Sequence, residues 1–263
     1  MGTLVCLHAH PDDESITTGG TIARAAAEGH RVVIVIATDG AHGEVPDDLA
    51  EGETLVDRRR VEAERSAAIL GAHRLAWLGY HDSGMTGWAQ NDADQAFVRA
   101  PLDEAAGRLA DILREEHADV LVAYDWHGNY GHPDHIRVHE VGHRAAELAG
   151  TPRLWEATMN RDEVMRFFEA ARAADPDAEA FDPSQPADDG NPMGEPESAI
   201  AWCVDVSAYT AQKRRSIAAH VSQVTDSSFF LAMPDEVFAV AFGSEWFCER
   251  GRTGPPQAGW VFG

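Results

Sequence analysis

Thr3-Leu4-Val5-Cys6-Leu7-His8-Ala9-His10-Pro11-Asp12-Asp13-Glu14 opens the chain with an apolar run and then a turn dense in imidazole and carboxylate. A short apolar run without alternation suits a strand covered on both faces. Working outward, residues 18–28 carry helical patterning, and residues 31–37 form a second apolar run ending at Thr38-Asp39-Gly40. Strand, helix and strand in that order make a βαβ unit. The alternation continues with a charged helix near 55–70 stopped by Gly71, a strand near 75–78, a helix near 102–116 and a strand at 120–123. This pattern predicts an α/β fold with a mainly parallel sheet and helices on both faces. Ligands in such sheets sit beyond the carboxyl ends of the strands, where His10-Pro11-Asp12-Asp13 falls, and where Tyr130-Gly131-His132-Pro133-Asp134-His135 follows another strand.

The second half is less regular. A helix is expected over 133–149, a strand near Leu154 and a helix near 162–174. Residues 175–198, rich in Pro, Asp and Glu, read as an exposed loop. A strand over 200–206, a helix over 208–219 and a tail containing Trp246 and Trp260 close the chain. No internal repeat is visible, and 1–263 reads as a single domain with an irregular C-terminal part.

Composition narrows the function. The 263 residues are 44% hydrophobic, enough for one large core. No run reaches the roughly 18 apolar residues of a membrane span, and no signal segment precedes the first strand, so a cytoplasmic protein with no membrane partner is expected. The formal charge of −23 repels phosphate backbones and excludes nucleic acid as a ready partner. Cys6, Cys203 and Cys248 are odd in number and widely spaced, which suits small buried hydrophobes better than disulfides or thiolate ligands. A homo-oligomer is compatible with the sequence, which does not specify one.

Imidazole nitrogen and carboxylate oxygen suit zinc and other first-row divalent ions, and a catalytic zinc takes three protein ligands and keeps a position open for water. His10, Asp13 and His135 are the candidate ligands. Pro11 and Pro133 stiffen the chain beside them. Asp12 is then left over and directed at the water, as a general base needs to be. Zinc brings the pKa of bound water from 15.7 toward about 7, so the pair suggests metal-assisted hydrolysis of an amide or ester. Iron(II) would accept the same donors.

The two runs closely resemble the paired signatures of the PIG-L (LmbE-like) zinc-dependent N-deacetylases. Further likenesses lie in Arg59-Arg60-Val61-Glu62, similar to that family's R-x-x-E helix, in Asp82-Ser83-Gly84-Met85, and in Ala219-His220-Val221-Ser222-Gln223. The resemblance implies a Rossmann-like fold and removal of acetyl groups from sugars of the N-acetylglucosamine type, with a small amino sugar as partner. It implies zinc on His10, Asp13 and His135 and a general base at Asp12. By the same resemblance Tyr130 and His132 polarise the carbonyl and stabilise the oxyanion, Asp134 orients His132, and Arg59 and Asp82 hold sugar hydroxyls. The mycothiol-related deacetylase and S-conjugate amidase form the nearest subgroup, so an amidase acting on mycothiol conjugates is the alternative activity. A non-catalytic carbohydrate-binding protein is a further alternative, disfavoured by the unligated Asp12.

Blander readings exist for each residue. Asp12 could cap the following helix, and His132 and Asp134 could be no more than a helix start. Arg59 could belong to the solvated run Arg58-Arg59-Arg60, and Asp82 to an ordinary turn. His135, His139 and His143 fall at i, i+4 and i+8, but Ile136 breaks any H-E-x-x-H pattern, so His139 and His143 read as packing or supporting residues. His81, His127 and His220 could line the cleft. Gly19-Gly20 lacks the spacing of a dinucleotide loop.

Overall fold

The computed structural model describes residues 1–174, 182–225 and 228–263. Five strands, β1 (Thr3–His8), β2 (Arg31–Thr38), β3 (Arg74–Tyr80), β4 (Val120–Tyr124) and β5 (Arg153–Thr158), alternate with α1 (Asp13–Ala27), α2 (Leu55–Leu70), α3 (Leu102–Glu115) and α4 (Pro133–Ala149). After α5 (Arg161–Ala174) come β6 (Trp202–Asp205), α6 (Thr210–Ile217), α7 (Phe229–Ala232), α8 (Asp235–Ala241), β7 (Ser244–Cys248) and β8 (Gln257–Ala258). The described strands form one sheet in the order β3-β2-β1-β4-β5-β7-β6-β8. The first five pair in parallel, and β7 runs antiparallel between β5 and β6.

Every residue of β1 and β4 is buried, and all of β2 except Arg31, as the unalternating apolar runs require. Right-handed crossovers put α1 and α2, which carry the chain outward from β1 to β3, on one face. The return from β3 across to β4 and on to β5 puts α3 and α4 on the other. The contacts agree: α1 packs on α2 and α6, and α3 packs on α4. One buried apolar cluster reaches from Leu4 to Val261, and a smaller one joins Ile217, Val224 and Phe238 beneath α6 and α8.

Three features differ from the sequence reading. Helix α1 starts at Asp13, five residues before its apolar pattern begins, because its first turn is polar: Asp13 and Glu14 favour the positive helix end. The tail contributes β7 and β8, whose five and two residues are too short to show a period. The strand near 200–206 is trimmed to Trp202–Asp205, and the following helix to Thr210–Ile217 after a 3₁₀ turn. The loop expected over 175–198 lies outside the described residues at 175–181; from 182 to 198 it has turns and isolated bridges and no strand or helix. No described helix is long and apolar enough to cross a membrane.

The glycine pair in α1 has a packing role. A Cβ on Gly20 would come within 2.6 Å of Val206, and the amides of Gly20 and Thr21 both donate to the buried Glu245 carboxylate at 2.8 Å. The lone lysine, Lys213, completes that contact with Nζ 2.7 Å from Glu245 Oε1.

Strand order reverses between β1 and β4, the switch point at which a doubly wound sheet opens a crevice at its carboxyl edge. The first motif leaves β1 there and the second leaves β4.

Candidate metal centre and active site

His10 lies in the turn between β1 and α1, and Asp13 is the first residue of α1. His132 is the N-cap of α4, with Pro133 next to it, where a missing N–H costs nothing. His135 follows one turn into the helix. Asp13 Oδ2 stands 3.4 Å from His10 Nδ1 and 3.3 Å from His135 Nε2. Ligands at 2.0–2.1 Å from a tetrahedral zinc are about 3.3 Å apart, so Asp13 stands at ligand spacing from each of the two histidines.

The far nitrogens support the assignment. His10 Nε2 meets Asp134 Oδ2 at 3.2 Å and His135 Nδ1 meets the Gly128 carbonyl at 3.2 Å. A ligating histidine ordinarily donates its other N–H to a carboxylate or carbonyl in this way. Burial works against ionisation of Asp13, but His135 and His10 beside it outweigh that effect and hold its carboxyl well below the usual range. A second grouping is also close: His10, His132 and His135 have ligand atoms within 4.8 Å of one another, as do His10, Asp82, His132 and Asp134.

Asp12 stands apart from these donors. Its φ of 118° is a left-handed conformation that a non-glycine residue adopts only when its surroundings enforce it. Asp12 is the N-cap of α1, yet its side chain makes no capping bond. Its carboxylate is 19% exposed and lies 3.3 Å from Arg59 Nη2. Burial raises the Asp12 carboxyl to about 6, against the lowering pull of Arg59.

The enforcement of Asp12 comes from residues that the sequence reading placed in motifs without giving them this task. Its amide donates to Glu14 Oε2 at 2.9 Å. Glu14 is fully buried, bonded to Ser15 Oγ, Ser66 Oγ and His220 Nε2, the last at 2.7 Å. Burial disfavours its charge, but His220 and Ser66 bring its carboxyl down to about 2. His220 is thus beneath the cleft floor and does not line it. Ser222 in the same segment donates from N and Oγ to Glu62 at 2.9 and 2.6 Å, tying it to the R-x-x-E helix.

Arg59 does not belong to a solvated charge run. It is 3% exposed, and its guanidinium donates to the Gly40 carbonyl at 2.7 Å and the Pro11 carbonyl at 2.5 Å as well as facing Asp12. With these bonds made, its guanidinium ties the turn at Pro11 and Asp12 to Gly40. Asp82 is likewise buried, accepting from the amides of Gly84 and His42, with Oδ1 3.6 Å from His10 Nε2.

Asp134 also needs correction. Its carboxylate bonds to His10 and to Ser83 N and Oγ, so it orients His10 and the D-S-G-M loop. Only its backbone N–H reaches His132, donating to Nδ1 at 3.1 Å. That bond puts the proton of neutral His132 on Nε2. Burial, with His10 and His135 nearby, pushes the His132 imidazole down to about 2, so it stays neutral. Tyr130 Oη lies 3.3 Å from His135 Nε2, and burial pushes its phenol up, keeping it protonated.

The described part of the acidic loop meets this centre. Asp188 N donates to the Tyr130 carbonyl at 2.9 Å, and Thr86 N, in the segment after Asp82, donates to Asp188 Oδ2 at 3.0 Å. His127 is buried with Nδ1 3.4 Å from Asp189 Oδ2, whereas His81 is exposed and pairs with Asp39 at 2.7 Å.

Residues 5–146 match the PIG-L family, described as GlcNAc-PI de-N-acetylase. A 1D-myo-inositol 2-acetamido-2-deoxy-alpha-D-glucopyranoside deacetylase of Nocardiopsis dassonvillei is 38% identical over 261 residues, covering 92% of this chain and 91% of the relative. A protein of the same name from Thermobifida fusca is 38% identical over 276 residues, covering 96% and 95%. The structure is similar to that of N,N′-diacetylchitobiose deacetylase from Pyrococcus horikoshii, with a TM-score of 0.58 and 25% identity over 97% of this chain and 84% of that one.

Proposed function

The chain belongs to the PIG-L family, and from that premise we propose that it is a metal-dependent deacetylase hydrolysing the acetamido group of an N-acetylglucosamine-type glycoside. N-acetylglucosaminyl-inositol is the substrate named for its relatives and the one we assign to it. The carrying observation is the division of labour around one turn: Asp13 converges with His10 and His135, while Asp12 is turned away from them.

We assign the ion to His10, Asp13 and His135 in preference to His10, His132 and His135, because the Nδ1 lone pair of His132 already accepts from the Asp134 amide and its Nε2 then carries the proton. Zinc is the proposed native ion and iron(II) the alternative. When bound, the ion polarises the amide carbonyl and acidifies the attacking water. Asp12 accepts that water's proton and, as the acid so formed, returns it to the departing amine, giving acetate and the free amino sugar. Neutral His132, with its proton on Nε2, and protonated Tyr130 donate to the oxygen on which negative charge develops. Arg59 and the Glu14 group hold the Asp12 backbone, and Asp134 holds His10. Residues 1–263 act in this reading as one domain, in the cytoplasm.

The test is acetate release from N-acetylglucosaminyl-inositol by chelated and zinc-restored protein, beside turnover of a bimane-labelled mycothiol conjugate. Zinc-dependent acetate release is expected, with the conjugate the poorer substrate. A conjugate preference above about tenfold, a difference of about 1.4 kcal/mol in transition-state binding, would make the protein an amidase. No turnover of either by the zinc-loaded protein would overturn the reading.

A further inference from the structure

Helix α4 carries a second set of donors beyond its first turn. His139 and His143 are one turn apart on one face, and Glu156 of β5 lies between them. Glu156 Oε1 is 3.1 Å from His139 Nδ1 and 2.8 Å from His143 Nε2. All three offer ligand atoms within 4.8 Å of one another. The sequence shows the histidine pair but not the acid it meets, because the Glu156 carboxylate arrives from a different element.

We propose that His139, His143 and Glu156 form a second divalent-cation site, separate from the one at the head of α4 and selective for zinc-like ions. Two imidazoles and one carboxylate favour first-row transition ions over magnesium or calcium, which prefer oxygen alone. Glu156 Oε1 is at hydrogen-bond distance from both imidazole nitrogens, and replacing those bonds by an ion needs the donors to open only to the roughly 3.3 Å edge of a tetrahedral zinc centre. The side chains are 23%, 27% and 14% exposed, so an ion and a completing water can enter from solvent. The net charge of −23 favours cation binding at such a site.

His139 Nδ1 also lies 3.1 Å from the Tyr124 carbonyl, so ligation through that atom exchanges a backbone hydrogen bond for the metal. The ion would then join α4 to β5. His135 precedes His139 by four residues, about 6 Å along the helix axis, so the two centres are distinct.

The proposal is tested by metal counting on chelated protein reloaded with zinc or cobalt and freed of excess ion. The wild type should hold one more equivalent than His143→Ala or Glu156→Gln, and both variants should keep wild-type acetate release. His135→Ala should lose its own equivalent and retain this one. In the cobalt form the extra equivalent should add visible d–d intensity per protein over that of His143→Ala, and excess zinc should raise the Tm of the wild type above that of Glu156→Gln. Glu156→Gln preserves side-chain shape and serves if His143→Ala does not fold. Equal metal content in wild type and Glu156→Gln would overturn the proposal, whether or not the protein deacetylates sugars.

Discussion

At the residue scale, adjacent aspartates do opposite things because the backbone turns between them. Asp13 enters the helix and faces two imidazoles, while Asp12, at a φ of 118°, faces Arg59 and the cleft. Their residue types were legible in His10-Pro11-Asp12-Asp13, but the strain at Asp12 was not, since it depends on Glu14, Ser66 and His220 meeting from three parts of the chain. Arg59 shows the same limit: Arg58-Arg59-Arg60 looks solvated, and only the fold reveals a buried guanidinium between two carbonyls. Arg59→Met should therefore lower kcat and leave KM unchanged, with stability reduced by about 1–3 kcal/mol for each group left unpaired. Steady-state kinetics and thermal melting check this. A raised KM at unchanged kcat would instead mean that Arg59 binds the sugar.

At the element scale, α4 is positioned by the loop beneath its first turn. Gly128 has a φ of +62°, and a Cβ there would lie 2.2 Å from that of His135. Its carbonyl also accepts from His135 Nδ1. Gly128→Ala should weaken metal binding by about 10–100-fold, the usual cost of disturbing a ligand's supporting partner. Gly150→Ala is the control, because Gly150 has a φ of +70° with nothing within 4 Å of a new Cβ. It carries backbone strain and should leave metal affinity intact. Competition with a chromophoric chelator measures both, and equal affinities would show that the loop does not position His135. Strands β1, β2 and β4 follow from unbroken apolar runs, and α2 and α4 from capping residues. Strands β7 and β8 do not, because strands of five and two residues are specified by partners such as Thr158 and Cys203 more than by their own pattern.

At the scale of the whole molecule, topology converts two distant motifs into one site. The reversal of strand order between β1 and β4 brings His10 and His135 together across 125 residues of chain. The sequence implied that meeting through strand-end motifs. It did not imply that the later Ala219-His220-Val221-Ser222-Gln223 segment would close beneath the first motif, a contact made by α6 packing on α1 and α2. The account depends on one acid binding the ion while its neighbour stays free to move a proton. Metal content and turnover of Asp12→Asn and Asp13→Asn, measured side by side, test this most directly. The account predicts that Asp12→Asn keeps its zinc and loses about 10² to 10⁴-fold in kcat, while Asp13→Asn loses the zinc itself. A zinc-free Asp12→Asn beside a fully loaded Asp13→Asn would contradict it.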